Sequence, residues 1–347
     1  MIFRQLFDHT SYTYTYLIGS RKGGEALIID PVLEKVDHYL RLFEQLDLKL
    51  VKAIDTHLHA DHVTGLGALR DKTHCITLMG EKSKVDVVSM RVADGDPVTI
   101  EGIRLQAIYT PGHTDDSYCF LAGDRVFTGD TLFIRGTGRT DFQHGDARAQ
   151  YHSIFDRLLT LPGDTLVYPG HDYKGDTVSS IAEERAYNPR LQVSSADEYV
   201  DIMNNLNLPN PKMMDVAVPA NMHIGLHQDV LRDRGQGLGC HDALALVGRP
   251  DVLLVDLREK QEIRRHGLIM GSLNVPYQEL KKNLEPGGLL AELVRSTGKR
   301  LLFYCAHGER SAMAVQDAEG YGFANACHIE DGIAGWEMQG GPLVSGN

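Results

Sequence analysis

Between Thr56 and Gly65 the chain reads THLHADHVTG, which sets His57, His59, Asp61 and His62 within six positions. Each imidazole brings two ring nitrogens that need partners, so several side by side are costly in a core unless a metal takes them up. Further along, His113 stands in TPGHT, Asp130 in FTGD and His171 in YPGHDY. Any one of them alone is most simply a turn residue or a satisfied histidine. Together they suffice for two metal ions, or for one metal ion with a surrounding set of residues that orient its ligands. The remaining histidines, His328 among them, lack this context and are read as surface or structural.

A second chemical centre lies near the C-terminus, where YCAHGERS puts Cys305 after an apolar run, with His307, Gly308 and Arg310 close behind. A sulfur there would sit among backbone N–H groups near a helix start, a setting that favours the nucleophilic thiolate. Cys75, Cys119, Cys240 and Cys327 have no such loop after them and are read as inert and buried.

The elements that must carry these residues follow from the hydropathy pattern. TYTYLIG alternates at period two, EALII is a buried-strand candidate ending at Asp30-Pro31, and Val36, Tyr39, Leu40, Phe43 and Leu46 share one helical stripe. Four further apolar runs each end in a turn that carries a His or an Asp, the last three with Gly in the turn itself: VKAID before His57, LQAIY before His113, DRVFT before Asp130 and DTLVY before His171. Strand ends at one edge of a layered α/β structure deliver distant residues to one point. After about Ala182 the pattern becomes helical stretches broken by Asn and Pro. The Gly-rich, polar residues 231–239 are the expected linker, and DVLLVD and RLLFYC open a second α/β unit. A chain of 347 residues suits two domains. Their expected bounds are 1–230 and 240–347.

The formal charge of −12, with no cluster of Lys and Arg, argues against a nucleic-acid partner. No apolar run is long enough to span a bilayer, so no membrane is expected. The five cysteines, without CxxC spacing, suit a reducing compartment, and the expected location is cytoplasmic.

The series THxHxDH, GHT, GD and PGHD, in that order, resembles the metallo-β-lactamase superfamily from the N-terminus to about residue 230. The implied fold is an α/β protein with an αββα sandwich and a metal at one edge of its two sheets. Within that superfamily, DTLFIRGTGRTDFQHGD, HDYKGDTVSSIAEERAYNPRL and VPANM resemble persulfide dioxygenases. That resemblance implies one Fe(II) per chain, held by His57, His113 and Asp130, and oxidation of glutathione persulfide by O2 to sulfite and glutathione. Two imidazoles and one carboxylate leave three positions open at an octahedral iron, where the persulfide sulfur and O2 can bind side by side. His59, Asp61, His62 and His171 then orient the ligands and bond to bound water. Arg139, Tyr173 and Lys174 are the candidates for holding the carboxylates of glutathione.

The C-terminal stretches DLREKQEIRRHGLIMGSLNVP, CAHGERS and DGIAGWEMQGGPLV resemble a rhodanese domain, a smaller α/β unit. The resemblance implies that Cys305, with His307 and Arg310, passes sulfane sulfur from thiosulfate to glutathione through a cysteine persulfide. A phosphatase of the Cys-x5-Arg type would need arginine where Ser311 stands. The two readings share a substrate, and the fused protein is allowed to be a homodimer. Two alternatives stand beside this one: a glyoxalase II-like thioester hydrolase with two metals, and a non-catalytic sulfur carrier or sensor.

Overall fold

The computed structural model describes residues 1–206, 208, 213–226 and 228–346, so His227 lies outside the described residues. The chain divides into two compact units, Met1–Asp86 with Met90–Ile224, and Val87–Ser89 with Gly225–Asn347. Residues 231–239, expected as a linker, carry structure of the second unit instead. A short helix runs over Asp229–Asp233, and Gly237–Leu238 forms an edge strand. The composition misleads here because a two-residue strand is too short to show a hydropathy period.

The first unit contains two six-stranded sheets. In the first, β1 (Ile2–Phe7), β2 (Tyr14–Gly19), β3 (Glu25–Ile29), β4 (Lys49–Ile54), β5 (Ile76–Gly80) and β6 (Met90–Val92) lie side by side in chain order. In the second, β7 (Pro97–Ile100), β8 (Ile103–Tyr109), β9 (Tyr118–Ala122), β10 (Arg125–Gly129), β11 (Leu166–Pro169) and β12 (Ser179–Ser180) also follow chain order. The inner faces meet through aromatic rings: Tyr16 of β2 packs on Phe127 of β10 at 4.9 Å and on Tyr168 of β11 at 5.6 Å.

The period-two alternation of β2 predicts one buried and one exposed face, yet all six of its residues are buried. Both faces of this inner strand are covered, and its polar side chains are satisfied inside. Thr15 Oγ1 donates to the Asp30 carbonyl at 2.7 Å, and Tyr16 Oη donates to the Pro169 carbonyl at 2.5 Å. The helix Val36–Gln45 buries Val36, Tyr39 and Phe43, which recur at helical spacing, and leaves Leu40 only half-buried.

The second unit is built on a parallel sheet of five strands, β13 (Gly237–Leu238), β14 (Val252–Asp256), β15 (Leu273–Asn274), β16 (Arg300–Tyr304) and β17 (Cys327–Ile329), in the order β13-β17-β16-β14-β15. Trp336, Tyr304, Leu254 and Ile329 belong to its core. Among the described residues no helix is long and apolar enough to cross a membrane.

Candidate metal centre and cysteine loop

All seven donors singled out in the sequence stand in loops that follow β4, β8, β10 and β11. Those loops bring one ligand atom each of His57, His113 and Asp130 within 4.8 Å of one another. His113 Nδ1 donates to the Arg139 carbonyl at 2.7 Å, which turns the lone pair of Nε2 toward Asp130, 3.5 Å away. Such a bond to the far ring nitrogen fixes the tautomer that a metal needs. Burial, with the neighbouring His59 and His113 adding to it, holds His57 well below the usual histidine range, so its ring is neutral. Burial alone would raise the Asp130 carboxyl, but His171, assisted by His113 and His57, holds it below the usual carboxylate range. Two imidazoles and one carboxylate, all buried, are a donor set that fits a divalent metal ion.

The other four donors are partly engaged with each other. His171 Nδ1 sits 2.7 Å from Asp130 Oδ1 and its Nε2 sits 2.8 Å from Asp61 Oδ2, so both ring nitrogens are taken by carboxylates. Asp61 Oδ2 also meets His62 Nδ1 at 2.9 Å and accepts from Thr13 Oγ1 at 3.0 Å. His59 Nε2 lies 3.2 Å from Asp30 Oδ1. Burial opposes a charge on His59, but Asp30, with Asp55 and Asp61, lifts it to about 9. Among the described residues His59 Nδ1 and His62 Nε2 are buried without a hydrogen-bond partner, and His59, Asp61 and His62 form a second group with metal-like spacing.

Several residues that hold this centre carry no signal of their own in the sequence. Asp30, at φ 51° just past β3, accepts from Thr56 N at 2.7 Å and Thr56 Oγ1 at 3.0 Å as well as facing His59. Asn221, within the VPANM stretch, donates to the carbonyls of His59 at 3.0 Å and His62 at 2.9 Å and accepts from Thr64 N at 2.9 Å. Gly138 passes so close to the ligands that a Cβ there would lie 2.0 Å from the Asp130 carbonyl oxygen and 3.0 Å from His113 Nδ1.

Of the expected glutathione-binding residues, Arg139 contributes its backbone to His113, while its guanidinium pairs with both carboxylate oxygens of Asp141 at 2.6 and 2.7 Å and lies over Phe142. Tyr173 is 65% exposed, and its ring runs parallel to that of His171, 6.1 Å away. Lys174 is exposed, and its backbone N–H donates to Asp172.

In the second unit Cys305 closes β16 and is buried, with its carbonyl accepting from Ile333 N at 2.8 Å. The turn depends on Gly308, at φ 87°, where a Cβ would come within 1.5 Å of the Glu330 carbonyl oxygen. His307 is half-buried on the same turn. Arg310 does not stand as a lone cation beside the sulfur, because Glu262 grips it with two bonds of 2.8 and 2.6 Å. Burial would lower the Arg310 guanidinium, yet Glu262 keeps it above even the usual arginine range. The same pair, against the cost of burial, holds the Glu262 carboxyl low.

A mixed α/β sandwich with this donor arrangement defines a metallo-β-lactamase fold, and the second unit is a rhodanese-like domain. The metallo-β-lactamase superfamily model matches residues 10–86 and 80–171, and the rhodanese-like domain model matches residues 240–339. A crystal structure of a metallo-β-lactamase from Staphylococcus aureus superposes with a TM-score of 0.59, covering 95% of this chain and 98% of that one at 21% identity, a likeness of fold. The human mitochondrial persulfide dioxygenase ETHE1 is 46% identical over 229 residues, which span 65% of this chain and 89% of the human one. The crystal structure of ETHE1 from Myxococcus xanthus is 54% identical, covers 64% of this chain and 98% of that one, and gives a TM-score of 0.63. The chain therefore belongs to the persulfide dioxygenase family and carries a C-terminal rhodanese-like domain, which places it in sulfur metabolism.

Proposed function

We propose that the first unit oxidises glutathione persulfide with O2 at one ferrous ion, and that the second exchanges sulfane sulfur between thiosulfate and glutathione through Cys305. The observation that carries the first half is the division among the buried donors. His57, His113 and Asp130 converge, while both nitrogens of His171 are engaged by Asp130 and Asp61 and His59 Nε2 by Asp30. His57, His113 and Asp130 would hold a ferrous ion, which would supply the redox chemistry that lets O2 react with a persulfide sulfur. The Arg139 carbonyl aims His113, His171 and Asp61 fix the Asp130 carboxylate, and the unpartnered nitrogens of His59 and His62 are placed to orient water. One glutathione persulfide, one O2 and one water yield glutathione, sulfite and two protons.

Tyr173 and Lys174 are the exposed candidates for the carboxylates of glutathione. Arg139 serves that role by exchanging Asp141 for the substrate. At the second unit the Cys305 thiolate attacks the outer sulfur of thiosulfate. The thiosulfate S–S bond breaks, sulfite leaves with the electron pair, and a Cys305 persulfide forms. A glutathione thiolate then takes the outer sulfur and regenerates the Cys305 thiolate.

A two-metal thioester hydrolase is the second reading, favoured by the His59, Asp61 and His62 group and its two unpartnered nitrogens. A second ion there would compete with the His171–Asp61 bond. Metal analysis after anaerobic purification, with O2 uptake on glutathione persulfide, separates the two. About one iron per chain with O2 consumption supports the dioxygenase. Two zinc ions with thioester hydrolysis and no O2 uptake overturn it.

A further inference from the structure

Two buried polar residues of the second unit, Ser311 and His328, have no part in the chemistry so far. Cys305 Sγ lies 3.7 Å from Ser311 Oγ, and Ser311 Oγ lies 3.2 Å from His328 Nδ1. Ser311 also donates to the Gly308 carbonyl at 2.9 Å. Cys305, Ser311 and His328 are all fully buried, and His328 Nε2 has no hydrogen-bond partner among the described residues. His328 occupies β17 between Cys327 and Ile329, where an aliphatic side chain would have cost less. Arg310, the obvious group to stabilise a sulfur anion, is neutralised by Glu262, so Cys305 faces an ion pair rather than a free cation.

We propose that Ser311 and His328 are positioning residues for sulfur transfer at Cys305: His328 Nδ1–H donates to Ser311 Oγ, and Ser311 turns its single proton from Gly308 O to the Cys305 sulfur when that sulfur is ionised. This deepens the sulfurtransferase reading and rests on it. A hydroxyl has one proton to give and two lone pairs to receive. In the thiol form Ser311 receives from both Cys305 S–H and His328 N–H and gives to Gly308. In the thiolate form it keeps the His328 bond and gives its proton to sulfur, while the thiol proton leaves to solvent. Burial pushes His328 down to about 4, so at neutral pH the ring is neutral with one N–H. Putting that proton on Nδ1 leaves a bare lone pair at the unpartnered Nε2, rather than a buried N–H with nothing to bond. The other ionisable groups around the loop are His307, Glu309 and Arg310 on the loop and its helix, Glu262 from the helix Lys260–His266 with Glu259 at its N-cap, and Glu330 after β17, paired to Arg232. The substitutions below leave all of them in place.

The test is a pH titration of the full-length protein by thiolate ultraviolet absorption, taking each protein against its Cys305→Ser counterpart so that only Cys305 is read. A hydrogen bond to a charged group is strong enough that Ser311→Ala is expected to move the Cys305 midpoint up by about one unit. Ser311→Thr keeps the hydroxyl and should titrate as the wild type does. His328→Leu should raise the midpoint by a smaller amount. His328→Asn, whose amide N–H can stand where Nδ1–H does, should restore it. The His328 pair reads the chain from its far end, so it decides the matter even if a Ser311 variant does not fold. An unmoved midpoint in folded Ser311→Ala, or equal shifts in His328→Leu and His328→Asn, would overturn the proposal. The titration reads the thiol itself. Failure to move sulfur from thiosulfate would instead overturn the sulfurtransferase reading.

Discussion

Replacing Glu262 by glutamine removes the negative member of a pair in which Arg310 is fully buried and the Glu262 side chain is 9% exposed. Glutamine keeps the shape, one oxygen for the guanidinium, and an acceptor for the Glu259 N–H that closes the capping box of the helix Lys260–His266. What is lost is the charge opposite Arg310, and breaking a buried pair from one side costs about 3–5 kcal/mol, of which the retained contacts leave the lower end. For a unit of this size that is a fall of about 10 to 15 °C in its unfolding midpoint. Trp336 is the chain's single tryptophan and is buried in the second unit, so its fluorescence reports the unfolding of that unit. The variant carries a second signature of opposite sign. Arg310 feels Cys305 electrostatically, and without Glu262 its field on the sulfur is uncompensated, so the Cys305 titration should move down while stability falls. The pair's contribution also has a definite pH range. Because Arg310 depresses the Glu262 carboxyl below its unfolded value of about 4.3, the full stabilisation is present above that value and drains away as pH falls through the folded one. The gap between wild type and variant should therefore close on acidification. A Glu262→Gln protein as stable as the wild type at neutral pH, or one whose Cys305 titrates higher, would refute the reasoning.

At the metal centre, His57→Ala, His113→Ala and Asp130→Ala should each abolish metal binding by elemental analysis. His171→Ala should retain the three donors and weaken affinity by about 10- to 100-fold, as loss of a residue that orients a ligand does. Gly138→Ala and Arg139→Ala, though adjacent, should differ sharply in metal content. A Cβ at 138 would be driven to 2.0 Å from the Asp130 carbonyl oxygen, whereas the Arg139 bond to His113 is made by the backbone and survives the change. Cys305→Ser should end O2 uptake supported by thiosulfate plus glutathione and leave uptake on supplied glutathione persulfide nearly intact; uptake on thiosulfate that persists would exclude Cys305 as the obligatory carrier.

The clustering of His57, His113 and Asp130 was legible because each lies within four residues of a strand end, and a His or Asp soon after an apolar run is visible in one dimension. The residues that restrain them were not. Asp30 ends a strand much as Asp130 does, but no pattern ties it to His59, and only the sheet order, with β3 beside β4, brings them together. Arg139 shows the reverse error. Its side chain invites a role in binding anions, whereas the contact that reaches the metal donors is its carbonyl, which every residue type possesses. Arg310 and Glu262 lie on different helices, and a sequence does not announce which cations are already paired. His328 is read from the sequence as surface or structural, and the fold buries it completely in a three-residue strand, where a lone histidine carries no spacing to read.

Asn221 gives the first unit a direction in time. All seven donors have been synthesised once the chain reaches His171, yet two carbonyls of the loop that carries three of them, those of His59 and His62, bond to a residue 162 positions after His59. A nascent chain on the ribosome therefore carries every donor before it carries the amide that bonds those two carbonyls. A translational pause between His171 and the helix Met214–Met222 would lengthen the interval in which those two carbonyls lack the Asn221 amide, without touching a single donor.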